Sequence, residues 1–448
     1  MARGTLPQLF KNAGVVLTGN AGASVFGLLS LGLTARALGP EPFGILVLIQ
    51  SYVAFVQQFT TFNSWPVLIT YGAQLLEQHR RDDFARLMKF GIVVDAAGAA
   101  LGAIGAAAAA YWVGRWRGWD PETIRLTVAY SLVILSALNG TPKAVLRLFG
   151  RFKAFAMQEL IASGVKLAGV TVVLFLQGGL VTFVGVWMLT TVVGNVLVVA
   201  MGWRELHRQG IHGILRVPLR GIGKRCPGLW GQIWTTNLNS TLKVVTQETD
   251  VFIVGGVLGV REAGFYKVVK QCSKLVSQAT DPLQQVLYPE VAKFWAKDAR
   301  AQIRTLLYRI GGLSAGLGAL VWLVLLVGGR RLLSLVFGPE FAGAYPALLW
   351  YMAGTVIMVG GLPFAVALPA TGQYSITLRV HLLGSSLYLP GLWVMIHNRG
   401  LVGAGMAYVG YHFFRAVVIG RFLRTTLSEP GRQTRPTTAA QIAAVPDV

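Results

Sequence analysis

Leu38-Gly39-Pro40-Glu41-Pro42-Phe43-Gly44 separates two long apolar runs near the start of the chain. Its prolines forbid continuation of a preceding helix, and its glycines permit backbone angles that other residues avoid. The stretch reads as a tight turn. It has an echo 220 positions later, at Leu258-Gly259-Val260-Arg261-Glu262-Ala263-Gly264, again between two long runs. The chain has 448 residues, so the offset is nearly half its length. Two copies of one unit are expected.

Further matches keep the same register. Val56, Gln58 and Thr60 correspond to Val276, Gln278 and Thr280. Lys89 corresponds to Arg309, and Gly91 and Gly98 to Gly311 and Gly318. Later, Leu146–Phe152 resembles Leu368–Tyr374 at an offset of 222.

Composition says what the repeated unit is. Of all residues 54% are hydrophobic and only 13% are charged, with mean hydropathy +0.57. Soluble domains carry about 25% charged residues. Apolar runs recur along the whole length, as in an all-α polytopic membrane protein. Twelve spans are expected, near 13–37, 43–69, 89–113, 124–147, 155–177, 180–203, 228–257, 263–288, 304–329, 344–368, 375–397 and 401–423. The first is too long for a signal-peptide core, so it is read as a retained membrane helix.

Six spans per copy make two pseudo-symmetric six-helix lobes, residues 1–203 and 227–424. Between them lies 204–226, basic and rich in glycine, which reads as a cytoplasmic linker. The tail 425–448 is rich in Thr, Pro and Ala without a core pattern, and reads as flexible and cytoplasmic. Because six is even, the repeats are parallel, which expects a pathway at their interface around a central cavity.

Charge gives the orientation. The formal charge is +22. With both termini inside, inner segments hold roughly three times as many Lys and Arg as outer ones. The excess is therefore assigned to cytoplasmic loops and the bilayer, not to nucleic acid. Cys226 and Cys272 show no metal spacing and are expected to form no disulfide. No phosphate loop, metal motif or Ser/His/Asp grouping stands out, so no catalytic or metal-binding residue is assigned.

Polar residues within the spans concentrate in the second copy. Gln232, Thr236, Asn239, Lys243, Gln247 and Asp250 share one helical face, with Glu248 off that stripe. Lys267, Lys270, Lys274, Gln278 and Asp281 share another. The first copy offers Asn20, Gln50 and Gln58. A mid-bilayer charge costs about 2.5–3.5 kcal/mol, so such a set faces water or its own members. The cations Lys166, Lys243, Lys267, Lys270 and Lys274 outnumber local acids. Lysine binds phosphate as a compact point charge. An anionic cargo bearing phosphate or sugar is expected, with Arg36 and Lys267 near the outer exit. Asn20, Gln50, Gln58, Asn239, Gln247 and Gln278 are assigned to sugar. Asp250, with Glu248 or Asp281, is assigned to restraining the lysines or carrying a coupling ion.

The two echoed turns, Leu148-Phe149-Gly150-Arg151-Phe152, Phe337-Gly338-Pro339-Glu340-Phe341 and Ala370-Thr371-Gly372 resemble loop signatures of bacterial polysaccharide-biosynthesis membrane proteins. These are the O-antigen or exopolysaccharide flippases of the multidrug/oligosaccharidyl-lipid/polysaccharide exporter superfamily. The resemblance covers the chain up to about residue 425. It implies transfer of an undecaprenyl-pyrophosphate-linked oligosaccharide from the cytoplasmic to the periplasmic leaflet by alternating access. It also implies a bacterial inner membrane, no cofactor, and a drive from a proton gradient, a sodium gradient or the membrane potential. Polysaccharide polymerase and export proteins are the implied partners. The alternatives are a peptidoglycan-precursor lipid flippase, a multidrug cation antiporter and a polytopic polymerase or glycosyltransferase.

Overall fold

The computed structural model describes the backbone of residues 5–428 except 63, 117–118, 220 and 279. Side chains of 5–18, 20, 152, 224, 238–248, 281–282, 285, 374–375, 378 and 428 also lie outside the described residues.

The protein is helical throughout its described elements. The first group is α1 (Thr5–Leu38), α2 (Pro40–Thr60), α3 (Trp65–Glu77), α4 (Arg81–Trp116), α5 (Pro121–Ser131), α6 (Gly140–Leu148), α7 (Phe152–Phe175) and α8 (Leu180–Arg208). A short α9 (Ile222–Arg225) follows. The second group is α10 (Leu229–Leu258), α11 (Val260–Gln278), α12 (Asp281–Ala296), α13 (Arg300–Phe337), α14 (Tyr345–Ala370) and α15 (Tyr374–Ser428).

The repeat reappears in these limits. Shifted by 220, α2, α3 and α4 fall on α11, α12 and α13 within a few residues. The long α15 is two helices, because Gly400 leaves helical geometry at φ 56° and ψ −143°. Its halves match α7 and α8, and Gly400 stands where Gly178 and Gly179 part the first pair. Among the described residues nine helices are long and apolar enough to cross a membrane. That set counts α15 once and omits α10 and α11; with those three added, the twelve expected spans are present.

The opening stretch holds a one-residue turn. Gly39 alone separates α1 from α2, with φ 72°, and Pro40 and Pro42 lie in the first turn of α2. Proline suits that position because its missing N–H has no helical partner there. Gly259 does the same between α10 and α11, with φ 107°. Gly39 N donates to Ala35 O at 2.9 Å, and Gly259 N to Gly255 O at 3.2 Å.

Two expected spans are interrupted. Residues 43–69 were expected as one helix, but α2 ends at Thr60 and α3 starts at Trp65. Likewise 263–288 divides into α11 and α12. Pro66 and Pro282 lie in the first turn of the second piece in each copy, where the missing N–H costs nothing, whereas in an unbroken helix each would remove a hydrogen bond. The span 124–147 also breaks. It passes through a 3₁₀ turn at Leu132–Ser136 and restarts as α6 at Gly140.

The described contacts form two compact units. One is Met1–Gly264 with Val336–Gly338, the other Phe265–Leu335 with Pro339–Val448. In the first, α10 packs along α2 and α3, and Phe252 meets Phe55 edge-on at 5.6 Å.

The linker is docked onto the first unit. Ile211, Ile214, Ile222 and Cys226 are buried with Leu68, Phe84, Leu87, Met88 and Val145 from α3, α4 and α6. Burial pushes the Cys226 thiol up, so it acts as a small apolar residue. Lys89 Nζ donates to Leu215 O and Val217 O, both at 2.8 Å. Arg225 bonds Asp83, which also takes Arg80 Nη2 at 2.8 Å and has Arg86 Nη1 at 3.8 Å.

Asp83 is thus the anion that gathers three guanidinium groups. Asp83→Ala is expected to destabilise the linker's seat by about 2 kcal/mol, discounted for the partial exposure of the arginines. Limited proteolysis should then cut faster between residues 209 and 226. An unchanged cleavage rate would show that apolar packing alone holds the linker.

Candidate functional site

In the second unit, α11 presents Lys267, Lys270 and Lys274 on one face, because i, i+3 and i+7 are neighbours along a helix. Lys267 and Lys270 are half-buried and Lys274 is exposed. The Lys270 ammonium lies 5.8 Å from the Tyr266 ring centroid, within cation–π range. Ser273, on the same helix, shares a 2.6 Å hydrogen bond with Thr355 of α14.

From Tyr266 an aromatic series continues inward. Tyr266 meets Tyr351 edge-on at 5.8 Å, and Tyr351 stacks on Tyr408 at 3.8 Å. His412 is buried, 4.4 Å from Tyr408 and 4.9 Å from Tyr411 by ring centroid. The Arg415 guanidinium lies 5.5 Å from the Tyr411 ring, and Tyr388 is 5.0 Å from that ring. The Arg415 Nε is buried with no hydrogen-bond partner among the described residues. Cations thus stand at both ends of a set of tyrosine faces. Tyr266, Tyr351 and Tyr388 are buried, so the series is a packed aromatic core with a cation beside each end.

These tyrosines were missed in the sequence. Their signal was present: Tyr408, Tyr411, His412 and Arg415 follow i, i+3, i+4 and i+7, which is one helical face. Tyr266 and Lys270 are spaced by one turn in the same way.

The first unit carries a different polar centre. Asp95 of α4 is buried and accepts Ser64 Oγ at 3.0 Å, Thr141 N at 2.9 Å and Thr141 Oγ1 at 3.3 Å. It caps α6 at the interruption of the fourth span, where the helix N-terminus favours negative charge. Beside it Asn139 Nδ2 donates to Asn195 Oδ1, and Asn195 Nδ2 to Ser136 Oγ, each at 2.8 Å. Neither group has a counterpart in the second copy, where α14 runs unbroken and Ala315 stands 220 positions after Asp95. On the same unit Arg147 lies over Trp65 at 3.7 Å and near Phe155 at 5.4 Å.

The assigned residues distribute unevenly. Lys166 stands over the Trp187 ring at 3.5 Å, so its ammonium already has an aromatic face. Arg36 is exposed beside Gly338. The Gln50 side-chain oxygen is buried without a hydrogen-bond partner among the described residues, and Gln58 is half-buried. Asp250 is buried and accepts the Val251 N–H at 2.7 Å. Gln278 is half-buried at the end of α11. Asn20, Asn239, Lys243, Gln247, Glu248 and Asp281 lie outside the described side chains. Among the described residues no group of three His, Cys, Asp or Glu could hold a metal ion.

A family described as "Polysaccharide biosynthesis protein" matches residues 33–346. The chain is 28% identical over 344 residues to the inner membrane protein YghQ of Escherichia coli (strain K12), covering 77% of this chain and 96% of that protein. An inward-facing multidrug resistance MATE family transporter of the MOP superfamily superposes with TM-score 0.66 at 14% identity, over 92% of this chain and 94% of that one. The MATE transporter VcmN of Vibrio cholerae gives TM-score 0.61 at 15% identity, over 94% and 97%. At such identities the structural likeness is one of fold.

Proposed function

Because the chain belongs to the polysaccharide biosynthesis protein family, we propose that it is a flippase for a lipid-linked oligosaccharide. The cargo is an undecaprenyl-pyrophosphate-linked glycan, carried from the cytoplasmic to the periplasmic leaflet of a bacterial inner membrane by alternating access. Each six-helix copy, 1–203 and 227–424, acts as one lobe, and both termini are cytoplasmic. The observation that carries the reading is the lysine face of α11, set beside the tyrosine series of the second unit. Three lysines on one helical face raise the local positive potential, which favours an anionic cargo, and tyrosines offer an apolar ring with a polar tip.

In this reading Lys243, Lys270 and Lys274 hold the pyrophosphate, and the polyprenyl tail stays in lipid. Asn20, Gln50, Gln58, Asn239, Gln247 and Gln278 contact sugar, joined by Tyr351 and Tyr408. Lys166 and Arg36 add positive potential. Asp250, with Glu248 or Asp281, restrains the lysines between cycles or carries the coupling ion. An export role also brings it into one process with polysaccharide polymerase and export proteins.

Reconstitution in liposomes with a labelled lipid-linked oligosaccharide tests the proposal. Transfer of label between leaflets is expected, with the glycan chemically unchanged. A covalent change without transfer would favour a polymerase or glycosyltransferase. Transport of cationic dyes without lipid transfer would favour an antiporter.

A further inference from the structure

A second place in the fold asks for an anion, and internal symmetry exposes it. In the first copy Lys89, near the start of α4, is satisfied by the linker carbonyls of Leu215 and Val217. Its counterpart in the second copy, by the offset of 220, is Arg309 on α13. Among the described residues no acceptor or aromatic ring engages Arg309. Two cations nearby have carboxylate partners: Lys293 pairs with Glu290 at 2.8 Å, and Arg300 with Asp298 at 2.7 Å.

Arg309 lines a cavity of about 350 Å³, together with Phe294, Ala301, Gln302, Thr305 and Leu306. That volume is within the range of small-ligand sites. Its polar members are Arg309, the Gln302 amide and the Thr305 hydroxyl, which donates to Ala301 O at 3.0 Å; the guanidinium and the amide are suited to phosphate oxygen.

What continues from the cavity identifies the ligand's other half. Thr305 and Arg309 begin a stripe on α13 that runs through Leu313, Leu317, Leu320 and Val324. Those four are 67%, 58%, 58% and 62% exposed. From Arg309 the stripe extends about 22 Å along the helix, most of a hydrocarbon core about 30 Å thick. A free phosphate would leave this stripe uncovered. A phosphate attached to hydrocarbon chains fits both parts.

We propose that the α12–α13 cavity binds the headgroup of an anionic phospholipid, with its chains along Leu313–Val324. The Lys and Arg asymmetry of the loops assigns this end of α13 to the cytoplasmic leaflet. The second copy thereby takes from the membrane the acceptor that the first copy takes from its linker. The site is independent of the cargo.

Native mass spectrometry and thermal unfolding of the purified full chain in detergent test it. Dioleoylphosphatidylglycerol should give retained adducts and a raised midpoint, whereas dioleoylphosphatidylcholine should give neither. Arg309→Ala should weaken phosphatidylglycerol binding about tenfold, the loss of one charge-assisted contact. Arg309→Lys should recover part of it. Thr305→Trp, which fills the cavity but keeps the charge, should weaken binding as much as Arg309→Ala. Excess inorganic phosphate should not displace the lipid. Equal phosphatidylglycerol binding by wild type and both disruptive variants overturns the proposal. So does displacement by inorganic phosphate, or retention of undecaprenyl phosphate to the exclusion of phosphatidylglycerol.

Discussion

Neutralising Lys243, Lys270 and Lys274 together to glutamine is expected to abolish transfer of the lipid-linked oligosaccharide by the reconstituted chain. A cation about 6 Å from a phosphate charge contributes about 3 kcal/mol at an effective dielectric near 20. One lysine lost should slow transfer about tenfold, because its neighbours and Arg415 keep part of the potential. Three lost remove most of the interaction that draws a pyrophosphate out of water. Glutamine retains length and hydrogen bonding, so the comparison isolates charge. The amount of folded protein in the membrane must match wild type for the result to count. Normal transfer by the triple variant would remove the α10–α11 lysines from the cargo site.

Tyr351 and Tyr408 give that experiment a direction. Their rings stack at 3.8 Å between the α11 lysines and Arg415 in the contact series. If they contact sugar, their loss should depend on the glycan more than lysine loss does. The lysines read the pyrophosphate, which is common to all such carriers.

The overall architecture was legible because its signals are local or periodic. Span length follows from the apolar run, and the 220-residue offset survives in the helix limits themselves. The interruptions were harder to see. Residues 43–69 have apolar runs on both sides of the polar stretch Gln57–Ser64, which reads as a polar face within one span, and Pro66 was the better guide to the break. The linker was read as a tether because its glycines and basic residues dominate. Its Ile211, Ile214 and Ile222 are separated by Gly213, Pro218 and Gly221 and belong to no one helix, so only the tertiary fold shows that they share one core.

The same distinction governs the sites. The lysine face of α11 is one helix and can be counted off. The Asp95 cluster draws Ser64, Asp95 and Thr141 from three separate segments, and no spacing announces it. Asn139 and Asn195 are likewise far apart in sequence and meet only because the fourth span breaks. Departures from the internal repeat are the better signal here. A residue that one copy keeps polar and the other keeps apolar, such as Asp95 against Ala315, marks a demand that packing alone does not make.

Gly44 and Gly27 should answer the same substitution with opposite signs. Both lie inside helices, where alanine ordinarily stabilises by about 0.5–1 kcal/mol. Nothing lies within 4 Å of a Cβ built on Gly27, so Gly27→Ala is expected to follow that rule. A Cβ on Gly44 would overlap the carbonyl oxygen of Val260. That oxygen belongs to the backbone of the echoed turn and has no rotamer to escape into. Gly44→Ala is expected to cost about 3 kcal/mol, the upper range for overpacking, and Gly44→Val more. The contact is reciprocal, as the repeat requires: a Cβ on Gly264 would lie 2.9 Å from Pro40 O. Gly264→Ala should therefore also destabilise, by about 1 kcal/mol. Thermal unfolding in detergent measures all three. Equal midpoints for Gly27→Ala and Gly44→Ala would show that the two turns do not pack as described. The expected difference separates two uses of glycine in one short stretch. Gly39 and Gly259 have positive φ and serve the backbone angle. Gly44 and Gly264 do not, and they are small because each turn is the other's packing partner.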